Sequence, residues 1–324
     1  MEEKSTKFIS RLTEDILAAD LKWSLFVAAL QSYRFDSVLR PYPAPFLKEN
    51  GEKDIKSLER LADKLPGIQK VADSLDSLSS DLIGLLDWVL ESKAFKLRTS
   101  QISEFERIKI KTGQTDSVPT PNFIFELQPS PEAESKFEQI RNGRQTMYAY
   151  HGSRVENFHS IIHNGLASHM NKTSVYGEGT YLSAELSVSL HYSPTGLGWE
   201  HSTLGHKLSC VTVCEMIDDP AVKCQVKGTD SKLSKSRAKA ANAEGGEVPE
   251  KYYVVQNNDM LRVKYILVYA EKKKSARHKS LGQPSWFQQH KFLVMMTVYV
   301  FLLLLIGLCN SKSFQFRLKK FFKF

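Results

Sequence analysis

The chain has 324 residues, 42% of them hydrophobic and 25% charged, with a formal net charge of +8. Those values describe an ordinary globular protein with room for a sizeable core and about two domains. The lysines and arginines are spread along the chain rather than gathered with interleaved aromatics on one element, which excludes a dedicated nucleic-acid surface, so no specific nucleic-acid partner is expected.

Taken in order, the N-terminus from Met1 to Lys7 is charged and polar with no apolar run resembling a signal peptide, so export is not expected. From Ile9 to Tyr33, apolar residues recur at helical spacing (Leu12, Ile16, Leu17, Leu21, Leu25, Ala28, Ala29) and predict an amphipathic helix with Ser10 or Thr13 as cap. Pro41, Pro43, Pro45 and Gly51 mark a connecting loop over 36–54. Ile55, Leu58, Leu61, Ala62 and Leu65 predict a short helix stopped at Pro66-Gly67, and Leu75 to Val89 predicts a third. Residues 5–92 thus read as a small all-helical domain whose Trp23 and Trp88 belong to its core.

Near Lys93 the period changes. Phe95 to Arg98 and Phe123 to Leu127 alternate like strands, with an amphipathic segment around Phe105, Ile108 and Ile110 between them. Tyr148 to Ser153 predicts a further strand, Val155 to His163 a helix ended by Asn164-Gly165, and Lys207 to Ile217 another strand. The lysine-rich stretch 226–243 reads as an exposed loop. Lys251 to Val255 and Arg262 to Tyr269 are two β-rich runs joined by turn formers. The expected fold class is therefore α+β, with a helical domain at 5–92 and a mixed α/β domain at 93–273. Cys210, Cys214 and Cys224 lack a Cys-x-x-Cys pair and a fourth ligand, so they read as buried thiols and no metal site is expected. A basic linker at 274–291 leads into 292–309, which carries no charge and is long enough to cross about 27 Å of hydrocarbon, followed by a short tail at 310–324.

Two pieces carry chemistry. His151-Gly152-Ser153 ends a strand with a ring nitrogen, a bare backbone and a hydroxyl, and Gly177-Glu178-Gly179-Thr180-Tyr181 brings a flat aromatic face through a sharp turn. With Ser189, and with Tyr192 eleven residues after Tyr181, these residues resemble the ADP-ribosyltransferase fold of the poly(ADP-ribose) polymerase superfamily. With its apolar segment the whole chain is similar to that superfamily's tail-anchored endoplasmic-reticulum branch.

The resemblance implies NAD+ as co-substrate, with no metal. It implies that His151 bonds a ribose hydroxyl of the adenosine half, that Gly152 holds the nicotinamide carboxamide through its backbone, and that Tyr181 and Tyr192 sandwich the nicotinamide ring. Ser153 and Ser189 supply further hydrogen bonds. Polymerising members place a glutamate on a late strand; here Tyr252, beside Lys251 and Tyr253, takes that position. A neutral phenol is a poor substitute for a carboxylate, so the set His151, Tyr181 and Tyr252 points to transfer of a single ADP-ribose. Expected partners are protein substrates at the cytosolic face of the endoplasmic reticulum or contiguous nuclear envelope, the enzyme itself by automodification, and membrane lipid, with a place in stress signalling (the unfolded protein response) or translation. The alternative is a catalytically weak NAD+-binding membrane scaffold.

Overall fold

The structure, a computed structural model, describes residues 2–166, 175–225, 236–240, 243–271 and 291–310. The chain divides into two compact units, Met1–Lys272 and Lys273–Phe324. In the first unit the single N-terminal helix expected from the sequence is two, α1 (Glu2–Glu14) and α2 (Ile16–Leu30). The break is at Asp15, extended at φ −155°, whose carboxylate caps α2 by accepting from the Ala18 amide. The same carboxylate accepts from the Thr99 amide at 2.6 Å and the Thr99 hydroxyl at 2.7 Å, so one side chain starts the helix and fastens it to the first strand. Ser10 and Thr13, expected as caps, lie inside α1.

The amphipathic expectation also needs correction, because α2 is buried from Ala18 to Leu30 on all sides. Ala18, Leu21, Leu25 and Ala28 join the core beneath the sheet, whereas Ala19, Trp23, Phe26, Val27 and Leu30 join the helical core. A helix with two apolar faces is a central element. Around it lie α3 (Phe35–Val38), α4 (Ile55–Ala62), α5 (Ile68–Val71) and α6 (Ser80–Leu90), with Asp54 and Ser79 capping α4 and α6. Its polar residues are satisfied across the same interface: the Lys22 ammonium donates to the Leu90 carbonyl at 2.8 Å, and the fully buried Asp20 accepts from Ser24, Ser202 and Thr203.

Then come β1 (Phe95–Ser100), α7 (Glu104–Thr112), β2 (Phe123–Pro129), α8 (Pro131–Arg141), β3 (Thr146–Ser153), α9 (Phe158–Asn164), β4 (Thr180–Ser183), α10 (Leu186–His191), β5 (Gly196–Leu197), β6 (Lys207–Ile217), β7 (Tyr252–Val255) and β8 (Leu261–Ala270). The strands form one antiparallel sheet in the order β1-β2-β8-β6-β3-β4-β7, with β5 on β6. Successive residues point to opposite faces, so Cys210, Cys214, Ile266 and Val268 pack toward α2 and α9, and Val211, Val213 and Leu267 toward Phe105, Ile108 and Leu186 of α7 and α10. That double coverage explains the buried, free thiols of β6. Burial pushes Cys210 and Cys214 up to about 12, which keeps both protonated.

His159 is buried where α9 meets the helical region. Its Nε2–H donates to the Pro41 carbonyl at 3.0 Å, and its ring centroid lies 5.6 Å from that of Phe26. Burial lowers its pKa to about 3, with the nearby His163 a smaller cause, so the ring is neutral.

In the second unit the described residues form α11 (Lys291–Asn310), 20 residues and about 30 Å long at helical rise, with exposed Phe292, Met295, Phe301 and Leu304. Among the described residues no helix is long and apolar enough to cross a membrane. The expected basic linker and C-terminal tail lie outside the described residues except at their ends, as does most of the lysine-rich loop at 226–243.

Candidate active site

The expected site residues converge through strand register. Tyr150 of β3 lies opposite Ser183 of β4, and Ser183 lies opposite Tyr252 of β7, so the three strands bring their site ends side by side. Between them and α10 opens a cleft of about 330 Å³ lined by His151, Gly152, Ser153, Tyr181, Ser189, Tyr192 and Tyr252, all seven residues singled out from the sequence. It is also lined by Val175, Tyr176, Ser183 and Val188, which sequence reasoning missed. Tyr176 had a visible signal, an aromatic residue directly before the glycine turn. Val188 and Ser183 had none, because their place follows from helix phase and strand pairing.

His151 is oriented from two sides. Its Nδ1–H donates to the Tyr181 carbonyl at 2.8 Å, which leaves Nε2 as a lone-pair acceptor for a hydroxyl. Burial lowers its pKa, partly offset by that carbonyl bond, so the neutral tautomer is the working form. The Thr212 hydroxyl of β6 donates to the His151 carbonyl at 3.1 Å and anchors the strand end.

Gly152 answers to packing as well as to a ligand. A Cβ there would lie 1.8 Å from the Ser189 carbonyl oxygen and 2.9 Å from the Ser193 hydroxyl, so only glycine lets α10 approach β3 this closely. The approach is stitched by the Ser153 amide donating to the Ser193 hydroxyl at 3.1 Å and by the Ser209 hydroxyl donating to the Ser193 carbonyl at 2.6 Å. Ser189, itself buried, is thereby held against the cleft.

The Tyr181 hydroxyl donates to the Gly177 carbonyl at 2.6 Å and accepts from the Tyr176 amide at 2.9 Å, pinning the glycine turn that delivers it. Gly177, at φ 100°, has the backbone the turn requires, and a Cβ on it would meet that of Ala240 at 2.5 Å. Tyr192 ends α10 at the mouth of the cleft, 63% exposed, with a ring face available.

Strand register also separates the late tyrosines. Tyr252 shares the cleft face with Ser183 and Tyr181, whereas Tyr253 pairs with Leu182 and packs into the core behind the sheet. Burial and neighbouring Tyr192 and Glu185 raise the Tyr252 pKa, so it remains a neutral phenol. No carboxylate lines the cleft among the described residues. Glu185 is engaged at its edge, where the Lys251 ammonium reaches it at 2.7 Å.

A neutral histidine acceptor, paired tyrosines, buried hydroxyls and a bare backbone in one cleft define a site for a flat aromatic amide joined to a ribose, the class of nicotinamide-nucleotide transferases. Comparison with known proteins gives the family. Residues 10–90 match the ARTD15 N-terminal domain and residues 102–271 the poly(ADP-ribose) polymerase catalytic domain. The chain is 48% identical over 305 residues to the Mus musculus protein mono-ADP-ribosyltransferase PARP16, covering 94% of each chain, and 48% identical over 303 residues to the Homo sapiens protein of that name, covering 93% of each. It is 26% identical over 287 residues to Mus musculus protein mono-ADP-ribosyltransferase PARP8, covering 78% of this chain and 31% of that one. The chain belongs to the poly(ADP-ribose) polymerase family and is an ADP-ribosyltransferase of it.

Proposed function

We propose that the protein transfers one ADP-ribose from NAD+ to side chains of target proteins, and to itself, releasing nicotinamide. The observation that carries this reading is the Tyr252 phenol at the place where a polymerising enzyme needs a carboxylate. Tyr181 and Tyr192 clamp the nicotinamide ring, Gly152 and Ser189 hold its carboxamide, and the lone pair of His151 Nε2 takes a hydroxyl of the adenosine ribose. The N-glycosidic bond breaks with its electron pair moving onto the nicotinamide nitrogen, which leaves neutral. The acceptor's lone pair then forms the new bond at ribose C1′. Clamping both ends of the bond lowers the barrier by orientation. A side chain that is already nucleophilic needs no base, but the hydroxyl of a growing polymer does, and Tyr252 cannot supply one.

Tyr252→Glu tests this directly. The variant should add ADP-ribose units beyond the first, seen as a ladder of adduct masses where the parent protein gives single adducts. Single adducts alone from a folded, active variant would show that Tyr252 is not what limits elongation.

The proposal includes a membrane anchor. It is supported by the uncharged run from Phe292 to Cys309, by Lys272, Lys273, Lys274, Arg277 and Lys279 preceding it, and by the length of α11. A span this short suits a thin bilayer, hence the cytosolic face of the endoplasmic reticulum and nuclear envelope, with substrates drawn from stress signalling or translation. Protease added to sealed microsomes should digest Met1–Lys272 and spare a small C-terminal fragment. Protection of the whole chain would reverse the topology.

A further inference from the structure

A groove of about 690 Å³, about twice the volume of the catalytic cleft, opens in the helical region between α4 and α6. Ser57, Arg60, Leu61 and Lys64 line it from α4 and the turn that follows, and Asp81, Gly84, Leu85 and Trp88 line it from α6. Both sets step by i, i+3, i+4 and i+7, so each helix turns one stripe toward the space. Two helices arranged in this way leave the place that a third helix fills in a bundle. Phe46, from the loop before α4, adds a half-buried aromatic ring to the lining. Trp88, also half-buried, is braced on its core side by the buried rings of Phe26 and His159, whose centroids lie 6.1 Å and 6.4 Å from its own. A rigid aromatic side chain at a groove is the kind of anchor on which partner binding concentrates.

Gly84 points to an occupant. It stands inside α6, where glycine weakens a helix relative to alanine. A Cβ there would meet nothing within 4 Å, so no described neighbour accounts for the glycine, and the open space over it suits the close approach of another backbone. Charge gives the occupant's character. Arg60 and Lys64 are exposed and make no hydrogen bond or ion pair among the described residues, and Lys56, one turn earlier, is likewise exposed. Asp81 is offset by the N-terminus of its own helix, so the α4 side of the groove is positive. The chain's own linker at 274–291 is basic and a second copy carries a net charge of +8, so like charge opposes both. A concave groove does not match a flat bilayer.

We propose that this groove docks an amphipathic helix of a partner protein, with apolar side chains along one face and carboxylates on the flank that meets Arg60 and Lys64. The apolar face covers Leu61, Leu85, Trp88 and Phe46, and the partner's backbone passes closest to α6 at Gly84. The inference does not depend on the NAD+ reading of the catalytic cleft. It makes the helical region a recruiting surface.

Fluorescence anisotropy of the full chain in phosphatidylcholine nanodiscs tests it, with a dye-labelled helical peptide of about four turns that carries leucines along one face and glutamates beside them. The peptide should bind saturably in the micromolar range, and more weakly as salt rises. The double variant Arg60→Glu, Lys64→Glu should bind it about tenfold or more weakly. The same variant should favour a peptide with lysines in place of the glutamates, a gain that a misfolded protein would not show. Gly84→Leu, which fills the groove, should weaken binding about tenfold or more while Tm does not fall and labelling with NAD+ is unchanged. No saturable binding of the peptide up to about 1 mM, or undiminished affinity in either variant, would overturn the inference. Concentration-dependent dimers lost in Gly84→Leu would give the groove to a second copy. Amide exchange over α4 and α6 slowed by phosphatidylserine nanodiscs without peptide would give it to the bilayer, and either result also overturns the proposal.

Discussion

Replacing Gly152 with alanine is expected to slow transfer on the order of 100-fold while leaving most of the fold in place. The new methyl carbon would sit 1.8 Å from a backbone oxygen of Ser189, and a carbonyl cannot swing aside as a flexible side chain can. α10 must therefore move, carrying Ser189 and Tyr192 away from the ring they are proposed to hold. A displacement near 1 Å costs on the order of 100-fold in rate, and the forced repacking costs about 1–3 kcal/mol of stability. Gly84 in α6 is the internal control, because a Cβ there meets nothing within 4 Å. Gly84→Ala should stabilise by about 0.5–1 kcal/mol and leave activity alone. Calorimetric Tm values and labelling with radioactive NAD+ on the same preparations separate the two effects. A Gly152→Ala protein that labels at the parent rate would show that the approach of α10 to β3 is not needed for transfer.

The largest effect on stability is expected from Asp20→Ala. Asp20 is fully buried in α2 and accepts from Ser202 Oγ at 2.5 Å, from the Thr203 amide and Thr203 Oγ1 at 2.7 Å each, and from Ser24 Oγ at 3.1 Å. Hydrogen bonds to a carboxylate contribute about 1.5–3 kcal/mol each. Removing their shared acceptor strands buried donors, although part of the loss is offset because the charge no longer has to be desolvated. A net cost of about 2–4 kcal/mol, or roughly 5–15 °C in Tm, is the expected outcome. Because these bonds cross from the helical region to the segment leading into β6, chemical denaturation should loosen both cores together. A Tm within a degree of the parent would mean that the contact is dispensable.

Much of the site was legible from the sequence because its residues sit in short contiguous motifs with fixed spacing. His151-Gly152-Ser153 and the glycine turn before Tyr181 place a ring, a bare backbone and an aromatic face by local geometry alone, and Tyr192 follows at a set distance along α10. The choice between Tyr252 and Tyr253 depends on which residue Ser183 faces, a register that one strand does not disclose. The helical pattern from Ile9 to Tyr33 conceals the break at Asp15, where tertiary bonds to Thr99 outweigh the continuing periodicity. It also suggests one polar face on α2, although Asp20 and Lys22 are buried against partners roughly 180 and 70 residues away, beyond the reach of any local pattern. The burial of His159 is likewise not legible, because an isolated histidine on a helix carries no sign of what covers it.

The most direct test of the central claim is mass spectrometry of the full-length protein after incubation with NAD+, with released nicotinamide measured in parallel. The account predicts single ADP-ribose adducts on individual side chains, one nicotinamide released for each, and adducts forming on the order of 100-fold more slowly in the Gly152→Ala protein. Linked chains of ADP-ribose from the parent protein would contradict the assignment of Tyr252, and saturable NAD+ binding without any adduct or nicotinamide release would contradict transfer itself.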